Sequence, residues 1–322
     1  MTSRNWSTFA RACAAAGVVV LALAGCAADG EEAADGADAT TTAPGGEASM
    51  DAELLESSSA DGQFTALDID ELAGVVRIAT AAGVREAPLP TEEGETVGGT
   101  DLLGERVAEV KSYERLGTRI LVSGHPADDE ADDAHLGLWE IDTESGEWQP
   151  LAFEGDVDFH AIASAGATPA DGVLAAADSV TGSIYYSPDG GLSWQTAASL
   201  DASALAFTAD ASTLFAVTPD GLQASADRGQ TFAPVEGAPE LVMLATPPVG
   251  TSEWRIVGVT QSGELWRTID GVEWQPIGAL TIEPSAIALG KSPDAVYAVT
   301  PESVVVTTDG GQTLTVLVTL NN

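Results

Sequence analysis

Ser187-Pro188-Asp189-Gly190-Gly191-Leu192-Ser193-Trp194 has the composition of a tight turn. Its aspartate can accept hydrogen bonds from nearby backbone N–H groups, its glycines take the positive φ that other residues resist, and its terminal indole can pack beneath the loop. The stretch recurs as Ser225-Ala226-Asp227-Arg228-Gly229-Gln230-Thr231-Phe232, as Thr268-Ile269-Asp270-Gly271-Val272-Glu273-Trp274, and as Thr307-Thr308-Asp309-Gly310-Gly311-Gln312-Thr313-Leu314. The third copy is one residue short and the fourth ends in leucine. Their last residues stand at 194, 232, 274 and 314, so the spacings are 38, 42 and 40. A period near 40 marks a repeat architecture.

Between the turns lie apolar runs of a few residues, punctuated by Asp, Gly and Pro and without helical periodicity, which predicts an all-β chain. One unit reads as strands over 159–163, 173–177, 184–187 and 194–198, and the next as 204–207, 214–217, 222–225 and 232–235. Two more begin near Leu241 and Ala286. Four strands in about 40 residues make one propeller blade. The turns resemble the Asp-box, or bacterial neuraminidase repeat, with Ser187, Asp189, Gly191 and Trp194 in the first copy, and Ser225, Asp227, Gly229 and Phe232 in the second. Thr268, Asp270, Gly271 and Trp274 carry the third copy, and Thr307, Asp309 and Gly311 the fourth. In that family such boxes are structural and lie on the outer rim, away from the ligand face.

Two weaker units precede these four. Strands at 119–123, 136–142 and 147–151 form one, with Asp142-Thr143-Glu144-Ser145-Gly146 as an eroded box, and residues 63–103 supply the first, with strands at 64–69, 75–80 and 84–87. The expected body is therefore a six-bladed β-propeller of four-stranded antiparallel blades over residues 62–322. The order of its phrases, from Ser123-Gly124-His125-Pro126 and Asp158-Phe159-His160-Ala161 onward, is similar to a bacterial lipoprotein group labelled sialidase-like or glycosyl-hydrolase-like. In that group the first blade begins with a histidine-containing strand, a place that Phe64-Thr65-Ala66-Leu67 fills here.

The N-terminus is a different kind of sequence. Arg4 and Arg11 precede an apolar run over 12–25 that is too short to span a membrane, which needs about 20 residues. It closes on Leu23-Ala24-Gly25-Cys26, which resembles a bacterial lipobox. That resemblance implies a signal peptide over 1–25, acylation of Cys26, and anchoring at the outer face of the bacterial cell membrane. Two acyl signals on one residue would hold stably where one chain binds only marginally. Residues 27–61 carry ten acids, no base and no aromatic, so residues 26–61 read as a lipidated cysteine followed by a disordered acidic tether. The two cysteines, Cys13 and Cys26, leave the exported body no thiol for a disulfide.

The formal charge is −38. Nucleic acid and anionic headgroups are poor partners for such a chain, and acidity of this kind is a common solubility trait. A sialidase needs three arginines on the substrate carboxylate, a tyrosine nucleophile and an acid/base aspartate. The body's arginines stand in no Arg-Ile-Pro context, and Tyr113, Tyr185, Tyr186 and Tyr297 read as strand residues. No catalytic residue is assigned. All three histidines, His125, His135 and His160, fall in blades two and three, and an acidic loop with Asp128 and Asp129 lies between the first two. His160 on a first strand and His125 at a second strand's end could meet at the channel, where imidazoles and carboxylates would suit a divalent metal. No cofactor is required. The expectation is a monomeric binding or scaffolding propeller for a glycan, protein or assembly partner. A sialidase-like glycoside hydrolase and a metal-binding propeller are the alternatives.

Overall fold

The computed structural model describes residues 64–92, 95–127, 134–166, 172–248, 251 and 253–320. Cys26, the signal segment, the tether, and Asp128 and Asp129 of the acidic loop lie outside them. The described chain forms six blades of four antiparallel strands each, the sixth extended by one parallel strand. Blade one is Phe64–Asp70, Val75–Thr80, Gly83–Pro88 and Asp101–Leu102; blade two is Ala108–Leu116, Arg119–Pro126, Leu138–Asp142 and Trp148–Ala152. Blade three is Phe159–Ala165, Val173–Asp178, Ser183–Ser187 and Gln195–Ser199; blade four is Ala204–Phe207, Leu214–Thr218, Gly221–Ser225 and Ala233–Pro234. Leu241–Ala245, Ile256–Thr260, Glu264–Thr268 and Gln275–Ala279 make blade five, and Ala286–Leu289, Val296–Val299, Ser303–Thr307 and Thr315–Thr319 make blade six. The innermost strands of successive blades touch, and that of blade six touches that of blade one. The ring is closed.

Closure has one device that local sequence does not announce. Val97–Gly98, between the third and fourth strands of blade one, pairs in parallel with Thr315–Thr319 as a fifth strand of blade six. The Gly99 N–H donates to the Thr319 carbonyl at 2.9 Å alongside it. The edge of the last blade is thereby covered by the first, which removes an open strand edge.

Blades join through apolar side chains on facing sheets, and the four recurrent turns add to those joints. In blade three the Ser187 hydroxyl accepts from Gly191 N at 2.8 Å, and Asp189 accepts from Ser193 N at 2.8 Å. Trp194 Nε1 donates to the Gly191 carbonyl at 2.9 Å. The same pattern repeats at Ser225 and Asp227, and at Thr307 and Asp309. In the third copy the bonds run to Gly271 and Glu273, three residues on instead of four, which accounts for its missing residue. At Gly191, Gly229 and Gly271 an added Cβ would meet side chains of the preceding blade: Leu151, Ile184 and Phe215 respectively. At Gly311 it would meet the Ala279 carbonyl. These turns therefore seal one blade against the one before it. The eroded turn of blade two keeps only the Asp142 carboxylate, which accepts from Glu144 N and Ser145 N.

Arg228 occupies the left-handed position (φ 65°) that Gly190 (φ 70°) and Gly310 (φ 71°) fill in their turns. A side chain there costs about 1–2 kcal/mol, offset in part by the freer unfolded chain of glycine and by the weak stacking of Arg228 over Tyr186. Arg228→Gly is expected to raise stability by up to about 1 kcal/mol in urea unfolding; a loss would mean that the Tyr186 contact outweighs the strain.

The innermost strand of blade two, Ala108–Leu116, was absent from the strand pattern expected for that blade. Its polar alternates conceal a strand because Lys111, Tyr113 and Arg115 line a channel and Glu109 bonds His125, instead of facing a dry core. Ala108, Val110 and Leu116 are the buried counterpoint.

Candidate functional site

Strand order places the functional groups. Turns from first to second strand and from third to fourth lie at one end of the ring, which holds the four Ser/Thr-x-Asp turns. Second-to-third connections and blade crossovers lie at the other. His125, near the end of the second strand of blade two, shares that second end with Asp158 and His160, at the start of the first strand of blade three. Glu109 joins them at the start of the first strand of blade two, directly opposite His125 in the antiparallel register.

Side chains there form a chain of hydrogen bonds. His125 Nδ1 lies 2.7 Å from Glu109 Oε2, and its Nε2 lies 3.0 Å from Asp158 Oδ2. His160 Nε2 contacts the same Asp158 oxygen at 2.8 Å, and Ser179 Oγ donates to it at 2.9 Å. Lys111 Nζ holds the other Glu109 oxygen at 2.6 Å. The His135 ring stands 5.8 Å from that of His125, and the His160 ring 6.2 Å. Asp158 is 3% exposed, and its Oδ1, like His135 Nδ1, is buried without a hydrogen-bond partner among the described residues. Burial alone would raise the Asp158 carboxyl, but hydrogen bonds from His160 and Ser179 and the charge of the two imidazoles hold it far below the usual range. At His125 burial works against the charge, yet the bond to Glu109 and the nearby Asp158 carboxylate raise it overall.

A second polar cluster lies in the channel wall, from blades one and two. Asp68 accepts from Tyr113 Oη at 2.8 Å and from Arg115 Nε at 2.8 Å. Arg77 Nη1 is 3.5 Å from Asp68 and 3.3 Å from Asp70, while its Nε donates to Glu86 at 2.8 Å. Burial and the Asp68 charge together raise the Tyr113 phenol well above its ordinary value. Next to it, Glu114 accepts from Ser164 Oγ at 2.6 Å and opens on the channel. Its carboxyl is pushed up to about 7 by burial first, which with the neighbouring Asp68 outweighs the Ser164 bond and Arg115.

The channel has a volume of about 870 Å³. Its wall is two-sided: Asp68, Arg77, Glu114 and Arg115 on blades one and two, and Leu205, Phe207, Met243, Leu244 and Ile287 on blades four to six. Among the described residues lining it, the arginines are Arg77 and Arg115, and both are held by acids. Three arginines converging on a substrate carboxylate are therefore not found in the described channel.

Of the expected metal residues, the structure brings His125 and His160 onto one carboxylate and sets His135 beside them. Asp158 and Glu109 were not among them. Asp158 had only nearness in sequence to His160 as a signal, because it precedes the strand and a bulge at Phe159/Ala161 breaks the alternation there. Glu109 had none without the register that sets it against His125. Tyr113, Tyr185, Tyr186 and Tyr297 all lie on strands, and Tyr113 also enters the channel cluster.

Neither a protein-family model nor a curated protein matches the chain. Solved structures do match it. A chain of the nidogen/laminin complex is 9% identical with a TM-score of 0.50, covering 72% of this chain and 88% of that one. A GH74 xyloglucanase from Xanthomonas campestris is 16% identical with a TM-score of 0.48, covering 79% of this chain and 45% of that one. PorZ, a surface component of the type-IX secretion system of Porphyromonas gingivalis, is 11% identical with a TM-score of 0.48, covering 80% and 38%. This chain spans less than half the length of the latter two. At these identities the likeness is one of fold, a β-propeller.

Proposed function

We propose that this protein is a lipid-anchored extracytoplasmic propeller, with Asp-box turns as its structural signature and its channel as a binding site for a glycan or a protein segment. Cys26 and the acidic tether provide the anchor and the reach. The observation that carries the binding reading is the two-sided channel. A wall whose arginines, Arg77 and Arg115, are already paired with Asp68, Asp70 and Glu86 faces a mainly apolar wall, which suits a ligand with a polar rim and an apolar face.

The test is a panel of defined neutral and acidic oligosaccharides and extended peptides, titrated against the full chain. Saturable binding should weaken at least about 10-fold on Val242→Trp, which narrows the channel from a partly exposed wall position. Binding that ignores that change would overturn the channel assignment. In parallel, Cys26→Ser should abolish lipid labelling, and unchanged labelling would overturn the anchor.

A glycoside hydrolase is the second reading, favoured by one observation. The Glu114 carboxyl, pushed up to about 7 by burial, lies near Asp68, which is ion-paired with Arg115, and carboxyls in unlike environments are the acid and base of such enzymes. Turnover of aryl glycosides, abolished by Glu114→Gln, would establish it in place of binding alone.

A further inference from the structure

We propose that His125, Asp158 and His160 form a binding site for one divalent first-row transition ion, such as Zn²⁺ or Cu²⁺, at the end of the propeller opposite its Ser/Thr-x-Asp turns. This site goes beyond the channel-binding reading and stands or falls separately from it. Three ligand atoms, one from each residue, lie within 4.8 Å of one another. The His160 and His125 Nε2 atoms sit 2.8 and 3.0 Å from Asp158 Oδ2. A tetrahedral ion with bonds of about 2.0–2.2 Å holds its ligand atoms about 3.3–3.5 Å apart, so an opening of roughly half an ångström replaces the shared protons with metal.

The surroundings suit such an ion. Glu109 fixes the far nitrogen of His125 at 2.7 Å and is itself held by Lys111, the carboxylate–histidine support that orients imidazole ligands. Buried Asp158 keeps its other oxygen, Oδ1, with no hydrogen-bond partner among the described residues, and a cation bound by both carboxylate oxygens would satisfy it. The third imidazole, His135, stands beside His125 with its Nδ1 likewise buried and unpartnered among those residues. Two imidazoles with one carboxylate select zinc, copper or nickel over calcium or magnesium, which take oxygen. His160 is 41% exposed in its side chain, so the site has a solvent entry.

The test is calorimetric titration of the full chain in detergent with ZnCl₂, CuCl₂ and CaCl₂. One Zn²⁺ or Cu²⁺ per chain should bind, and Ca²⁺ should not compete. His160→Ala, at a partly exposed position that leaves the fold intact, should weaken binding by roughly 100-fold, and Glu109→Gln, acting through His125, by about 10–100-fold. The Cu²⁺ complex should show electron-paramagnetic coupling to at least two ring nitrogens, a signature that weak binding to the acidic surface would not give. Unchanged affinity in both His160→Ala and the His125→Ala/His160→Ala double variant, coupling to no nitrogen, or displacement by equimolar Ca²⁺ would each overturn the proposal.

Discussion

Asp68→Ala should cost about 3–5 kcal/mol of folding stability, the largest effect expected of any polar substitution in the ring. Asp68 is the anion on which Arg115, Tyr113 and the outer reach of Arg77 converge, and the three lie on two different blades. Arg77 is 3% exposed and Arg115 18%, so neither guanidinium can turn wholly to water when its partner goes. Removing one member of a buried pair leaves an uncompensated charge, which costs far more than the pair contributes. Asp70 and Glu86 remain for Arg77, and Asp70 stands 3.8 Å from Arg115, which sets the result toward the lower end of that range. For a domain of this size the melting temperature should fall by on the order of 10 °C. Asp68→Asn is the discriminating control: it keeps the shape and an acceptor for Tyr113 while losing the charge, and should fall between wild type and alanine. A loss below about 1 kcal/mol for alanine would show that the pairs behave as surface ion pairs.

Glu114→Gln should flatten the dependence of stability on pH between about 5 and 8. The Glu114 carboxyl lies at about 7 in the folded protein against an ordinary 4.5, so the fold favours its protonated form. A raised carboxyl contributes stability that is complete below its unfolded pKa and is lost as pH rises through the folded value. Ionisation of Glu114 therefore works against the fold from about pH 5 upward, and by pH 8 the difference approaches a ceiling of about 3 kcal/mol. Glutamine keeps the size and can still bond Ser164, yet carries no charge at any pH. Urea unfolding of both proteins at pH 5, 6, 7 and 8 isolates the effect, since every other titrating group is common to the two. Parallel profiles would place Glu114 in water and remove it as a candidate acid.

The first prediction turns on Asp68, which the sequence left as an ordinary strand residue, and the second on Glu114, which lay in no expected strand. Blades three to six were legible because each carries its own turn, and the turn's chemistry is local: an aspartate, a glycine at positive φ and an apolar end within eight residues. The first strand of blade two was not legible, since Glu109, Lys111, Tyr113 and Arg115 alternate with apolar residues, toward the channel or the histidine cluster, and mimic a solvated segment. The latch at Val97–Gly98 escaped for a different reason. Two residues carry no periodicity, and their partners lie about 220 residues away.

The histidine site was half legible. His125 and His160 stood out as rare residues on neighbouring blades, whereas Asp158 was one acid among 50 Asp and Glu residues. Only its burial between two imidazoles distinguishes it.

By itself, then, the sequence determined the all-β class, the 40-residue period and the count of six blades, because period and turn chemistry are properties of adjacent residues. Tertiary structure decided how the ring closes, which arginines are paired, which carboxyl burial pushes upward and which acid joins the histidines. Each of these depends on distances between residues far apart in the chain, set by strand register and by the packing of one blade on the next.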